Sequence, residues 1–249
     1  MTRARILSAL ILSLASFTLT SCATDAELPD DGAAFASAAQ VVEGSASTAP
    51  VEGFGKGDGS DVVMIGDSWM SLIFSGIQQS VTRISKQPYR VYGVPGTRLL
   101  DGAIPGQYAR AKRDNPNIKT VIMTGGGNDI LITGLSADCA AGGEKCAAQL
   151  DKIGVGLKDL WTQMAKDGVR DVIHIQYSSD AGSGVKDSAA RNAGLAELCA
   201  SMTPIRCHLL PTDDLVKGEL LDGIHPTPAA NDRIANAIIA LMAEKGMRR

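Results

Sequence analysis

The stretch DVVMIGDSWM, residues 61–70, carries four consecutive apolar residues, Val62 to Ile65, straight into Gly66, Asp67, Ser68 and Trp69. A short apolar run without alternation describes a strand buried on both faces. Strands of that kind belong to parallel sheets covered by helices on both sides. The serine that ends the run has two readings. Ser68 is the N-cap of a partly buried helix, predicted over 69–85 from Met70, Leu72, Ile73, Ile77, Val81 and Ile84, or it is a nucleophile.

Four more short apolar runs follow: YRVYGV (89–94), KTVIMTG (119–125), DVIHIQY (171–177) and IRCHLLP (205–211). Helical patterns lie between and after them, over 105–114, 146–167, 187–202 and 227–245. Alternation of buried strands with helices, joined by right-handed crossovers, predicts the α/β class as a doubly wound, three-layer α/β/α sandwich. Chemistry in such a fold gathers at the carboxyl ends of the strands, near the point where strand order reverses.

At 249 residues and 45% hydrophobic composition, the chain suffices for one substantial core, expected over residues 61–249. The net charge is −3, and without the first 22 residues it is −5, which gives no electrostatic reason to expect nucleic acid as a partner. An aromatic content of 4% argues against an extended stacking platform.

Residues 1–21 read as an export signal: a basic start, MTRAR, then an apolar, serine-interrupted stretch. They end in LTSC, which resembles the bacterial lipobox and implies that Cys22 becomes a lipid-carrying mature N-terminus. A plain secretory signal with an incidental cysteine is the competing reading. Residue 23 is Ala rather than the Asp that holds such lipoproteins at the inner membrane, so a cell-envelope site is expected, at the outer membrane in an organism that has one. Residues 22–60 show no sustained period and read as a tether. GFGKGDGSD (53–61) has neither the Lys-Ser/Thr of a phosphate loop nor EF-hand spacing, so a solvated turn is expected.

With Cys22 set aside, Cys139, Cys146, Cys199 and Cys207 remain, an even number consistent with disulfides outside the cytoplasm. Of the three connectivities, Cys139–Cys146 with Cys199–Cys207 closes short local loops and is expected. Metal binding is the alternative, but there is no Cys-x-x-Cys and the three histidines are scattered, so no metal or other cofactor is expected.

Near the other end, LLDGIHPTPAANDR places Asp222 three residues before His225. A serine hydroxyl needs a base to take its proton, and an imidazole needs a carboxylate to fix its tautomer. One tight turn can supply both. Pro226 biases His225 away from helical geometry, and Pro228 suits the first turn of the last helix. His174 and His208 sit inside predicted strands and read as structural. MTGGGNDIL ends a strand on glycines and Asn128, whose amide could donate to a developing oxyanion. In VYGVPGTRL, Gly96 could offer a backbone N–H, with Gly93 its competitor.

Together GDSW, GVPGT, GGND and DGIHP resemble the four ordered blocks of the GDSL, or SGNH, hydrolases from about Asp61 to Gly246. The resemblance implies a flavodoxin-like sandwich on a five-stranded parallel sheet and a metal-free esterase. It assigns Ser68 as nucleophile, His225 as base, Asp222 as its partner, and Ser68, Gly96 and Asn128 as the oxyanion hole. Trp69 stands where the family name has leucine; it bears on pocket shape or simply packs on the sheet. The Gly-x-Ser-x-Gly elbow of α/β-hydrolases is absent, since residue 70 is Met.

The expected function is an exported, lipid-anchored serine ester hydrolase for short acyl or acetyl esters, its substrate a small molecule, a lipid or an acylated glycan. An acyltransferase or deacetylase acting on envelope or extracellular polysaccharide is the alternative among enzymes. From another class, the chain could be a catalytically silent surface binding protein. The Gly/Ala-rich segment from Ile130 to Cys146 is expected to border the pocket, with Gly134 a candidate limit on acyl length.

Overall fold

The computed structural model describes residues 59–71, 76–182 and 188–247. The export signal, Cys22, the tether and most of the glycine-rich segment lie outside the described residues.

Five strands form one parallel sheet: β1 (Val62–Ile65), β2 (Arg90–Val91), β3 (Thr120–Met123), β4 (Asp171–Ile175) and β5 (Arg206–Leu210), in the order β2-β1-β3-β4-β5. The chain moves from β1 to one neighbour, β2, then returns to the other side of β1 as β3. The strand order therefore reverses between β1 and β3, so the crevice favoured for ligands opens beyond Ile65 and Met123.

Side chains alternate between the two faces of the sheet. Val63, Ile65, Val121, Met123 and Val172 pack with α2 (Ala103–Asp114) and α5 (Glu144–Lys166) through Ile104, Tyr108, Leu157 and Trp161. Val62, Met64, Ile122, Ile173 and Ile175 pack on the opposite face with α1 (Ile77–Ser85) and α8 (Pro228–Glu244) through Ile77, Val81, Ile234 and Ile238. The three-layer sandwich and its parallel sheet stand as expected. Burying each such side chain is worth roughly 1.5–3 kcal/mol.

Three boundaries differ from expectation. Among the described residues the first helix starts at Ile77, because residues 67–71 make a turn in which Met70 and Ser71 N–H donate to the Asp67 carbonyl at 3.1 Å each, and Ile77 N–H donates to Trp69 O at 3.0 Å. Ser68 is consequently no N-cap; that place belongs to Gly76. β2 is two residues long, since the chain after Val91 leaves for the Gly93–Pro95–Gly96 loop. Between β3 and α5, where no helix was expected, lie α3 (Gly127–Leu131) and α4 (Ser136–Ala140), and a further short helix, α7 (Asp213–Val216), follows β5.

Both local disulfides are formed. Cys139–Cys146 ties α4 to the first turn of α5, and Cys199–Cys207 ties α6 (Ser188–Ser201) to the edge strand β5.

Candidate active site

Where β1 and β3 end, their backbones come unusually close. Gly66 has φ +139°, and a Cβ there would lie 2.1 Å from Thr124 Oγ1, so only glycine lets the two strands end side by side. The Gln107 side chain then clasps the Gly66 peptide, accepting from its N–H at 2.7 Å and donating to its carbonyl at 2.9 Å.

Asp67 is buried beneath the turn. Its Oδ1 accepts from Trp69 N–H and Thr124 Oγ1, both at 3.1 Å, and its Oδ2 accepts from the Tyr177 hydroxyl. Burial raises its carboxyl above the usual range, and the three hydrogen bonds, with that of Tyr177 foremost, work against that rise. Burial likewise raises the Tyr177 hydroxyl, and the Asp67 charge adds to it. This cluster fixes the turn whose next residue is Ser68.

Ser68 Oγ lies 2.8 Å from His225 Nε2, across 157 residues of sequence. On the other side of the ring, His225 Nδ1 is 2.7 Å from Asp222 Oδ2. Asp222 Oδ1 accepts from the backbone N–H of Ile224 at 3.0 Å and of His225 at 2.8 Å. Those bonds, the His225 backbone contact first and its ring second, hold the Asp222 carboxyl down at about 2. An ionised carboxylate accepts only, so Nδ1 carries the imidazole proton and Nε2 is left to accept from Ser68 Oγ–H. The expected trio is thus assembled in the order and tautomer that proton transfer from a hydroxyl requires.

The turn itself is stapled at its base, where Leu221 N–H donates to His225 O at 2.8 Å and Leu220 pairs with Pro226. Thr227 then caps α8 by accepting from Ala230 N–H at 3.2 Å, with Pro228 in the first turn as its sequence suggested.

Asn128 sits in the first turn of α3, and its Nδ2 donates to Thr97 O at 3.0 Å. An amide carries two N–H bonds, so the second remains for another acceptor. Its neighbour Asp129 is buried and accepts from Leu99 N–H at 2.8 Å and Leu100 N–H at 2.9 Å. Two successive residues of α3 therefore hold the loop that follows Gly96. Gly96 has φ +75° and open space where a Cβ would stand, whereas a Cβ at Gly93 would press on Met70 at 3.2 Å. The N–H groups of Ser68 and Gly96 make no hydrogen bond among the described residues.

A cavity of about 30 Å³ is lined by Ser68, Trp69, Asn128, Leu131, Tyr177 and Ile224 among others. It unites the nucleophile block, the asparagine block and the histidine loop; Gly96 is not in its wall. Leu131 is the contribution of the segment from Ile130 to Cys146. Gly134 is exposed, has nothing within 4 Å of where a Cβ would stand and is not in the wall of this cavity, which argues against it as a limit on acyl length. Trp69 is buried against the sheet and also lines the cavity, so both readings of it hold. His174 packs edge-on against Trp161, and His208 pairs with Asp171 at 3.2 Å; neither reaches Ser68.

Several solved structures share this architecture. A catalytic mutant of an acetylxylan esterase from Geobacillus stearothermophilus is similar over 78% of this chain and 99% of its own, with a TM-score of 0.55 and 14% identity. A protein from Slackia heliotrinireducens assigned to the SGNH hydrolases matches over 73% and 97%, with a TM-score of 0.50 and 18% identity. The chain has the SGNH-hydrolase fold. A lipase from a goat rumen metagenome carries it too, matching 72% of this chain and 95% of its own at a TM-score of 0.56 and 14% identity. No protein-family model and no curated protein sequence matches the chain. The likeness to the SGNH-hydrolase fold is thus one of backbone path, at sequence identities of 14–18%.

Sequence reasoning missed Gln107, Thr124, Asp129 and Tyr177. Asp129 was legible only as the residue after Asn128. The others act from 41, 57 and 110 residues away on the turn at 66–67, and no local pattern marks them.

Proposed function

We propose that the chain is a serine ester hydrolase with Ser68 as nucleophile, His225 as general base and acid, and Asp222 as the carboxylate that fixes the imidazole. The observation that carries this is the 2.8 Å contact of Ser68 Oγ with the Nε2 of a histidine whose Nδ1 is committed to an ionised carboxylate. Ser68 Oγ attacks the ester carbonyl as its proton passes to Nε2. The oxyanion takes the Ser68 and Gly96 N–H groups and the second N–H of Asn128. The bond to the alcohol breaks as Nε2 returns the proton to the departing oxygen. Water, deprotonated by the same nitrogen, then attacks the acyl-enzyme and releases the acid.

A cavity of about 30 Å³ has room for about one or two water-sized groups, which favours acetyl or another short acyl group. The acetylxylan esterase among the similar folds makes an acetylated sugar a reasonable first substrate to try. Export with a lipid on Cys22, the membrane attachment that follows, and an envelope location toward the outer membrane belong to the same proposal. They are supported by LTSC after an apolar leader and by two disulfides, which persist in oxidising compartments. Transfer to a sugar hydroxyl would use the same acyl-enzyme. The assembled trio weighs against a silent binding protein.

The test is hydrolysis of p-nitrophenyl acetate by the wild type beside Ser68→Ala, with a fluorophosphonate as active-site label. Turnover and labelling lost in the variant support the assignment; equal rates in the two proteins exclude Ser68 as nucleophile. Asn128→Ala is expected to lower kcat by about a hundredfold or more, and an unchanged kcat removes Asn128 from the oxyanion hole.

A further inference from the structure

We propose that the Tyr177 side chain is a partition that limits acyl length, closing the small pocket at Ser68 off from an apolar chamber able to take a longer acyl chain. The inference rests on the ester-hydrolase reading above. The chamber, about 590 Å³, is walled by α5 and α6 through Leu150, Ile153, Leu157, Leu195 and Leu198. That volume falls within the range of about 300–1,000 Å³ typical of pockets that hold whole small ligands. Among the described residues, Gly127 and Tyr177 are common to its wall and to that of the pocket at Ser68.

Of those two, only Tyr177 has a side chain. A Cβ at position 127 would fall 2.9 Å from Tyr177 Cζ, so the ring lies directly on the bare Gly127 backbone and fills the space between the two cavities. Its hydroxyl is anchored on Asp67, and its ring meets Trp69 edge-on at 5.2 Å. Held at both ends, the ring does not swing aside for a longer acyl group. An acetyl group stops at the partition; an octanoyl chain needs the chamber behind it.

The experiment compares kcat/KM for p-nitrophenyl acetate, butyrate and octanoate in full-length wild type, Tyr177→Ala and Tyr177→Phe. Tyr177→Ala should raise the octanoate-to-acetate ratio by about tenfold or more. Tyr177→Phe loses the bond to Asp67 but keeps the ring, so its ratio should stay at the wild-type value. If Tyr177→Ala fails to fold, Tyr177→Leu must move the ratio the same way. Acetate hydrolysis and Ser68 labelling retained, with an unmoved ratio in the folded variant, overturns the partition alone. Neither hydrolysis nor labelling in the wild type overturns the esterase reading and the partition with it. A ratio raised equally in Tyr177→Phe would assign the limit to the Asp67 bond instead of the ring.

Discussion

The indole N–H of Trp69 donates to the carbonyl oxygen of Ile224 at 3.0 Å, so the residue after Ser68 is bonded directly to the residue before His225. This second strut runs beside the contact between Ser68 and His225 and fixes how far apart their backbones stand. A leucine, as in the family name, has no donor to offer there. Trp69→Phe keeps an aromatic ring and removes the N–H. It should lower kcat about tenfold through a misplaced imidazole and cost about 1 kcal/mol of stability. Steady-state kinetics beside a denaturant melt would show it; an unchanged kcat would mean that the strut does not position the histidine.

Asp222→Asn probes the tautomer. The asparagine carbonyl can retain the two backbone N–H donors of Ile224 and His225, which turns its NH₂ toward Nδ1. Nδ1 must then accept, the proton moves to Nε2, and Ser68 loses its base. kcat should fall by about 10²- to 10⁴-fold with a smaller change in KM. Because the Asp222 carboxyl sits at about 2, below its ordinary 3.8, its stabilising contribution is present above pH 4 and lost as pH falls through 2. An acid limb of wild-type kcat/KM above pH 4 therefore belongs to another group. An Asp222→Asn protein as active as wild type would place the orienting carboxylate elsewhere.

Asp67 carries the opposite sign. Its folded carboxyl is raised by burial, so the folded state binds the proton more tightly than the unfolded one, and that advantage disappears as pH rises through the folded value. Asp67→Asn does not titrate, and its carbonyl can still accept from Trp69 and Thr124. The melting temperature of the variant relative to wild type should accordingly improve from pH 4 to pH 8. Parallel melting curves over that interval would contradict the assignment.

Asp129→Ala should destabilise the chain by about 2–4 kcal/mol, since it leaves the N–H groups of Leu99 and Leu100 without their acceptor. It should also lower kcat, because the loop from Gly96 to Leu100 loses one of its two ties to α3. Urea melts and kcat measured on the same preparation would separate the effects. A loss below about 0.5 kcal/mol would show that water replaces the carboxylate freely.

The parallel sheet was legible because strands buried on both faces need β-branched and apolar runs, and Val62 to Ile65, Thr120 to Met123 and Asp171 to Ile175 are runs of that kind separated by helical patterns. The site was legible where chemistry demands one residue type: a serine, a histidine with its acid, and an amide after glycines. The helix start was misread because Met70, Ile77 and Val81 fit a helical period, while the turn at 67–71 and the bond from Ile77 N–H to Trp69 O leave no periodic trace. Helices of four or five residues are shorter than the window in which a period can be recognised. Tyr177 and Gln107 escaped because their roles exist only once separate strands lie side by side.

Asp222 and His225 share one turn, while Ser68 reaches them across 157 residues. The imidazole and its carboxylate are therefore held to one another locally, whereas the serine meets them only through the packing of the whole sheet. A shift of that turn by an ångström or so disengages the serine yet leaves the histidine correctly protonated. Loosened packing around the Trp69–Ile224 strut would therefore act on the serine contact first and on the histidine's protonation last.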